Sequence, residues 1–215
     1  DLSNEELTKL ANNYMLVSNR ASHLTKEQVE FLKAQNPDLI VIKYLNFASG
    51  HEVIDNKFRK ENPETVLKDK EGEMYRGLLN AKDNDPVMDP SSELWRQTLI
   101  DASLEAIDEG HDGIMADQIV AVNNIAKDFA GINLKTGEPY TTEEYRDEMY
   151  ETLRRVKEAM GPDKLLFGNS IRNGQGYFEE EAHRFLEVTD GLHAEGCKGH
   201  ASWDTKRYYN EEQWK

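Results

Sequence analysis

Asp112-Gly113-Ile114-Met115-Ala116-Asp117 has an echo later in the chain, Asp190-Gly191-Leu192-His193-Ala194-Glu195. Each copy runs from an Asp-Gly turn pair through a short apolar stretch to a carboxylate. That is the pattern of a buried parallel strand that enters from a turn and ends in an acid. Two such strands in one sheet bring their terminal acids to the same edge.

The segments around these copies alternate between helix and strand. Before the first copy, Leu94, Leu99, Ala102, Leu104 and Ile107 suit one amphipathic helix that starts at Asp89-Pro90-Ser91-Ser92 and ends at Gly110. After it, Thr141-Thr142-Glu143-Glu144 opens a helix to about Met160, closed by Gly161-Pro162. Lys164 to Ser170 then reads as a strand, and a helix over about Phe178–Glu187 leads into the second copy. Nearer the N-terminus, Ser3 and Glu6 form a capping box for a helix from about Asn4 to Asn12. Tyr14 to Ser18 is a short apolar strand, and Thr25 with Gln28 caps a helix to about Gln35 that Asn36-Pro37-Asp38 stops. Leu39 to Asn46 is the strongest strand, nearly all apolar and β-branched, as a strand buried on both faces should be. Residues 47–90 break the rhythm; within them Thr65 to Tyr75 predicts a β-hairpin turning at Lys70-Glu71-Gly72. Residues 202–215 are polar and aromatic, with a helix start near Asn210.

Strand–helix alternation implies a parallel sheet with helices outside. Two closures fit: a (β/α)₈ TIM barrel and an open doubly wound sheet. No strand is followed by a Gly-rich phosphate loop, which disfavours the nucleotide-binding form of the open sheet. Polar strand ends favour the barrel, because barrel sites gather at that face. Five parallel strands are visible, whereas a barrel has eight and about 250 residues. The expectation is therefore a single barrel domain over residues 1–215, incomplete, lacking its first strand and its last βα units.

Composition narrows the partners. The 215 residues carry a net charge of −15, which opposes binding to nucleic acid and to anionic membrane. Cys197 is the single cysteine, so an internal disulfide and a cysteine-based zinc site are excluded. No apolar run approaches the ~18 residues of a membrane span, and the first residues read as a capped helix start rather than a signal peptide.

Asp117 and Glu195 are the candidate catalytic pair. Hydrolysis of a glycosidic bond needs one carboxylic acid to protonate the leaving oxygen and one carboxylate to attack or to activate water. Either acid alone reads equally well as a helix cap or an ion-pair partner. Asp89 reads as an N-cap, and Asp112 and Asp190 as turn residues before glycine. On the strand ending at Asn46, alternation puts Tyr44 and Asn46 on one face as candidate sugar contacts and Lys43 on the other. Asn169 ends its strand in the same manner. His193 shares a face with Glu195, and Trp203, in the loop beyond, offers a ring on which a sugar could stack. Trp95, within an outer helix, reads as core. Asp117, His193 and Glu195 could meet around a metal, but no helix carries a His-x-x-x-His or Glu-x-x-His pair, so no metal site is assigned.

The run Val66 to Gly72, then Met88-Asp89-Pro90-Ser91-Ser92-Glu93-Leu94-Trp95-Arg96, then Asp112 to Asp117, resembles the hypothetical glycosyl hydrolase group of (β/α)₈ barrels. These are similar in layout to endo-α-1,4-polygalactosaminidases and, more distantly, to the α-galactosidase clan. Gly110-His111-Asp112-Gly113-Ile114 fills the group's motif, with His111 where a large apolar or aromatic residue is more usual. Asp190 to Gly196 resembles its second acidic segment. The likeness covers about residues 10–200. It implies that Asp117 ends the fourth barrel strand as nucleophile or base, and that Glu195 ends the sixth as proton donor. It also implies a carbohydrate substrate, no cofactor, and an extracellular or periplasmic setting. The expected function is a glycoside hydrolase acting on an oligo- or polysaccharide. The alternatives are a non-catalytic carbohydrate-binding barrel module and, less favoured, a metal-dependent hydrolase.

Overall fold

The computed structural model describes residues 2–19, 24–51, 53–77, 85–120, 129–172 and 180–195, with backbone alone at 19, 170–172, 180–182 and 194–195. Five parallel strands form one sheet: β1 (Leu16–Asn19), β2 (Ile40–Asn46), β3 (Gly113–Asp117), β4 (Leu165–Arg172) and β5 (Gly191–Glu195). α1 (Asn4–Asn13) precedes β1, and between the strands run α2 (Lys26–Gln35), α3 (Asn56–Glu61), α4 (Glu93–Asp108), α5 (Thr142–Met160) and α6 (Glu180–Leu186). The spatial order β1-β2-β3-β4-β5 is the chain order. A doubly wound sheet reverses direction partway; this one does not, and it curls into an incomplete (β/α) barrel. No helix among the described residues is long and apolar enough to cross a membrane.

Local chemistry explains the helix starts. Ser3, Thr25 and Thr141 each close a capping box, with Glu6, Gln28 and Glu144 answering from the third helical position. The reciprocal bonds satisfy backbone donors that a helix start otherwise leaves open. The start of α4 corrects the sequence reading. Its cap is Ser92, whose hydroxyl accepts from Trp95 N at 3.4 Å. Asp89 is instead a buried carboxylate, and its Oδ1 accepts from Ser91 N at 2.8 Å, Ser91 Oγ at 2.8 Å and Tyr140 Oη at 3.1 Å. It thereby ties the chain before α4 to the chain before α5. Burial and the Asp89 charge push the Tyr140 phenol above its ordinary range.

The repeated hexapeptide owes its first two residues to the far end of the sheet. Asp112 Oδ2 accepts from Val41 N at 2.7 Å and pairs with Lys33 Nζ of α2 at 2.5 Å. Asp190 Oδ2 does the same one repeat on, with Leu166 N at 2.8 Å and Lys157 Nζ of α5 at 2.8 Å. Each aspartate thus clasps the start of the neighbouring strand to a helix, a larger task than the turn role its sequence suggests. The glycines that follow are steric necessities. A Cβ on Gly113 would lie 1.9 Å from Leu165 O, and one on Gly191 2.8 Å from the Phe167 ring.

The helix-facing side of the sheet holds the core. Leu45, Ile114, Ala116 and Leu166 pack with Trp95 and Leu99 of α4 and with Leu153 and Val156 of α5. Val41 joins a second cluster with Leu7, Val29 and Leu32 of α1 and α2. Trp95 is fully buried, as expected, and its Nε1 donates to Phe47 O at 3.2 Å. Lys43 interrupts the apolar face of β2; it reaches Glu109 at the end of α4, 2.7 Å away.

The long excursion between β2 and α4 contains the expected hairpin, but as a single bridge (Lys68 to Met74) around a turn whose amides at Glu71 and Glu73 are held by Asp69 Oδ1; two further isolated bridges, Val66 to Met88 and Arg76 to Pro86, join other parts of the excursion. It also contains α3 and a 3₁₀ turn at Pro63–Thr65, which the sequence reading passed over because a six-residue helix with one apolar residue, Phe58, shows no apolar period. The expected helix near Asn210 lies outside the described residues.

Candidate active site

The C-terminal edge of the sheet carries one polar row. The register aligns Asn46 with Asp117, Asp117 with Asn169, and Asn169 with His193. Four adjacent strands therefore present four polar residues side by side on the face away from the helices. Alternation dictates that face: in β3, Ile114 and Ala116 are buried against the helices while Met115 and Asp117 are half-buried on the concave side. Tyr44 lies one step below, level with Met115.

These side chains are joined. Tyr44 Oη donates to Asp117 Oδ2. Asn169 Nδ2 donates to Asp117 Oδ1 at 2.8 Å. Asn169 Oδ1 meets His193 Nδ1 at 3.1 Å. Exposure rises along this chain, from buried Tyr44 through half-buried Asp117 and Asn169 to exposed His193. Both Asp117 oxygens accept hydrogen bonds, the pattern of an ionised, acceptor-only carboxylate. Asn46 is buried and shapes the loop: its Oδ1 accepts from Ala48 N at 3.0 Å and Ser49 N at 2.7 Å.

Glu195 ends β5 two residues beyond His193. Its backbone is level with Arg172, because a register shift between Asn169 and Ile171 adds a residue to β4. Trp203 lies outside the described residues. Among the described residues, no group of three or more His, Cys, Asp or Glu is placed to hold a metal ion.

The chain after Asp117 was not legible in the sequence. Gln118 and Val120 have φ of 58° and 51°, left-handed values that a β-branched residue rarely adopts. Simple alternation would send Ile119 to the same face as Asp117. The left-handed step at Gln118 reverses it, and Ile119 packs instead over Gly168 in the helix-side core, where a Cβ on Gly168 would lie 2.3 Å from Ile119 Cδ1. Asp117 is therefore the last side chain of β3 on the concave face, beside a strained turn of the kind that gathers at functional sites. Gly168 was the one available hint. Above β2, Ser49 Oγ bonds His51 Nδ1 at 2.8 Å and Arg59 Nη2 donates to Ser49 O at 2.7 Å, bracing the loop at this same edge. Burial holds the Arg59 guanidinium below its ordinary pKa.

Solved structures share this architecture. The glycoside hydrolase domain of PelA from Pseudomonas aeruginosa aligns at a TM-score of 0.63 and 19% identity, covering 97% of this chain and 70% of that one. An α-galactosidase from Thermus thermophilus, in complex with p-nitrophenyl α-D-galactopyranoside, aligns at 0.54 and 14% identity over 78% of this chain and 35% of that one. A hypothetical protein from Ruminiclostridium thermocellum ATCC 27405 aligns at 0.52 and 16% identity, covering 77% and 89%. No curated protein sequence matches the chain. At these identities the likeness is one of fold, the barrel of glycoside hydrolases. The chain belongs to hypothetical glycosyl hydrolase family 15, whose profile matches residues 33–211. Its enzyme class is accordingly that of a glycosidase.

Proposed function

We propose that the chain cleaves glycosidic bonds within an oligo- or polysaccharide by a two-carboxylate mechanism, with Asp117 and Glu195 as the pair. The observation that carries this reading is the position of Asp117. It stands at the C-terminal edge of the central strand, with each oxygen held by a donor, and the strand that ends in Glu195 finishes at the same edge of the sheet. A carboxylate fixed as an acceptor suits the nucleophile or base. Glu195 then supplies the proton to the leaving oxygen. Of the expected sugar contacts, Trp203 is the proposed stacking ring; Tyr44, Asn169 and His193 border the groove through the hydrogen-bonded series that ends at Asp117, and buried Asn46 shapes the loop above it. No metal or other cofactor is needed. Residues 1–215 serve one barrel domain, working outside the cell or in the periplasm.

The test is release of reducing ends, or of nitrophenol, from neutral and amino-sugar polysaccharides and from aryl glycosides such as p-nitrophenyl α-D-galactopyranoside. Asp117→Asn and Glu195→Gln should each lower kcat by about 10³-fold or more with an unchanged thermal melt. Full activity in both variants overturns the pair. Glycan binding without turnover by the unsubstituted protein would mark a carbohydrate-binding module, and loss of activity in chelator a metal-dependent hydrolase.

A further inference from the structure

Asn169 and His193 stand in the groove as polar side chains that could touch a sugar. Their hydrogen bonds point elsewhere. Asn169 Nδ2 is 2.8 Å from Asp117 Oδ1, and Asn169 Oδ1 is 3.1 Å from His193 Nδ1. An ionised carboxylate only accepts, so the amide must turn its NH₂ toward Asp117; the flipped amide would set two acceptors face to face. That leaves the carbonyl toward His193, and a carbonyl only accepts as well. His193 must therefore donate from Nδ1, in the neutral ring and in the cation alike. The direction of every bond in the series follows from one fixed charge at Asp117.

We infer that His193 is a positioning residue: by donating from Nδ1 it locks the Asn169 amide, which in turn holds the Asp117 carboxylate in one orientation. The inference rests on the reading of Asp117 as a reacting carboxylate. The three residues come from three neighbouring strands in strict register, so the sheet itself sets their spacing. Tyr44 secures the second oxygen from the other side. A carboxylate gripped at both oxygens cannot rotate about its Cβ–Cγ bond without breaking a bond. A nucleophile or base needs that constraint, because a misplaced reacting atom costs rate rather than affinity. His193 Nε2 carries no part of this arrangement.

Replacing His193 by Asn and by Gln separates the two readings. An Asn amide nitrogen takes the place of histidine Nδ1, and a Gln amide nitrogen that of Nε2. In the full chain, His193→Asn should keep kcat within about twofold, while His193→Gln and His193→Ala lower it about tenfold, the loss of one charge-assisted series member, with KM unchanged. Asn169→Leu should lower kcat further, also at constant KM. The opposite pattern overturns the inference: His193→Gln active and His193→Asn impaired through a raised KM would mean a direct sugar contact through Nε2. Full kcat in all three His193 variants would overturn it equally.

A second readout does not depend on turnover. In ¹⁵N-histidine-labelled protein, with the resonance assigned by its absence in His193→Ala, neutral His193 should be protonated at Nδ1. Asn169→Leu should release that preference. An Nε2-protonated ring in the unsubstituted protein ends the proposal even if the protein cleaves every substrate offered. An Nδ1-protonated ring without any glycan cleavage would leave the positioning arrangement standing and overturn the proposed activity instead.

Discussion

At Tyr44 a single hydroxyl separates a packing residue from a functional one. The ring is buried, and its Oη donates to Asp117 Oδ2. Tyr44→Phe keeps the ring and removes the donor. A hydrogen bond to a charged acceptor contributes about 1.5–3 kcal/mol, so kcat should fall about 10- to 100-fold; steady-state kinetics beside a denaturant melt will read the two effects separately. Gly113 shows the opposite case, a residue whose importance is entirely steric. Gly113→Ala places a methyl 1.9 Å from Leu165 O. Two paired strands would have to move apart, and a loss of more than about 3 kcal/mol is expected in a urea melt. A loss below about 1 kcal/mol would show that the strands yield more easily than close packing implies.

Among the elements, the repeat is the organising device. Asp112 and Asp190 each spend one carboxylate oxygen on a backbone amide of the neighbouring strand and on a lysine of a helix. Asp190→Ala leaves the Leu166 amide without its partner and should cost about 1–3 kcal/mol. Asp190→Asn keeps an acceptor there and loses only a partly exposed ion pair, so it should cost less than about 1 kcal/mol. Equal losses in the two variants would assign the stability to the charge alone. The turn after β3 works against local preference. Gln118 holds φ at 58°, which costs an L-residue about 1 kcal/mol and glycine almost nothing. Gln118→Gly should accordingly raise stability by about 0.5–1 kcal/mol, and the same urea melts will test it.

For the molecule as a whole, His111 couples stability to pH. It is buried behind α4, with Nδ1 3.0 Å from Ala106 O and 3.8 Å from Glu109 Oε2. Burial holds its pKa below the ordinary 6.5; the Ala106 carbonyl, Glu109 and Asp112 oppose the shift and Lys43 adds to it. The unfolded chain therefore takes up a proton that the folded one resists. The contribution is complete above about pH 6.5 and is lost as pH falls from there through the folded value, at no more than about 1.4 kcal/mol per pH unit. His111→Leu should flatten this limb when urea midpoints at about pH 7.5 and pH 5.5 are compared. An unchanged slope would move the acid sensitivity to the carboxylates, among them Glu151, held at about 2 by Arg154 first and Arg155 with it.

Much of this molecule was written into its local sequence. The alternation of capped amphipathic helices with apolar strands named every strand of the sheet, and the matched hexapeptides pointed to the edge where Asp117 and Glu195 end their strands. These features depend on residues within a few positions of one another, and short-range chemistry reads that distance well. What required the tertiary structure was lateral. That Asn46, Asp117, Asn169 and His193 stand in one row follows from strand register, which links residues as far apart as 46 and 193. The clasp of Asp112 on Val41, the burial of Asp89 beneath Tyr140 and the reversal at Gln118 that sends Ile119 over Gly168 have the same origin. Each depends on a partner brought close only when the sheet closes up, and no periodicity along the chain encodes which neighbour that will be.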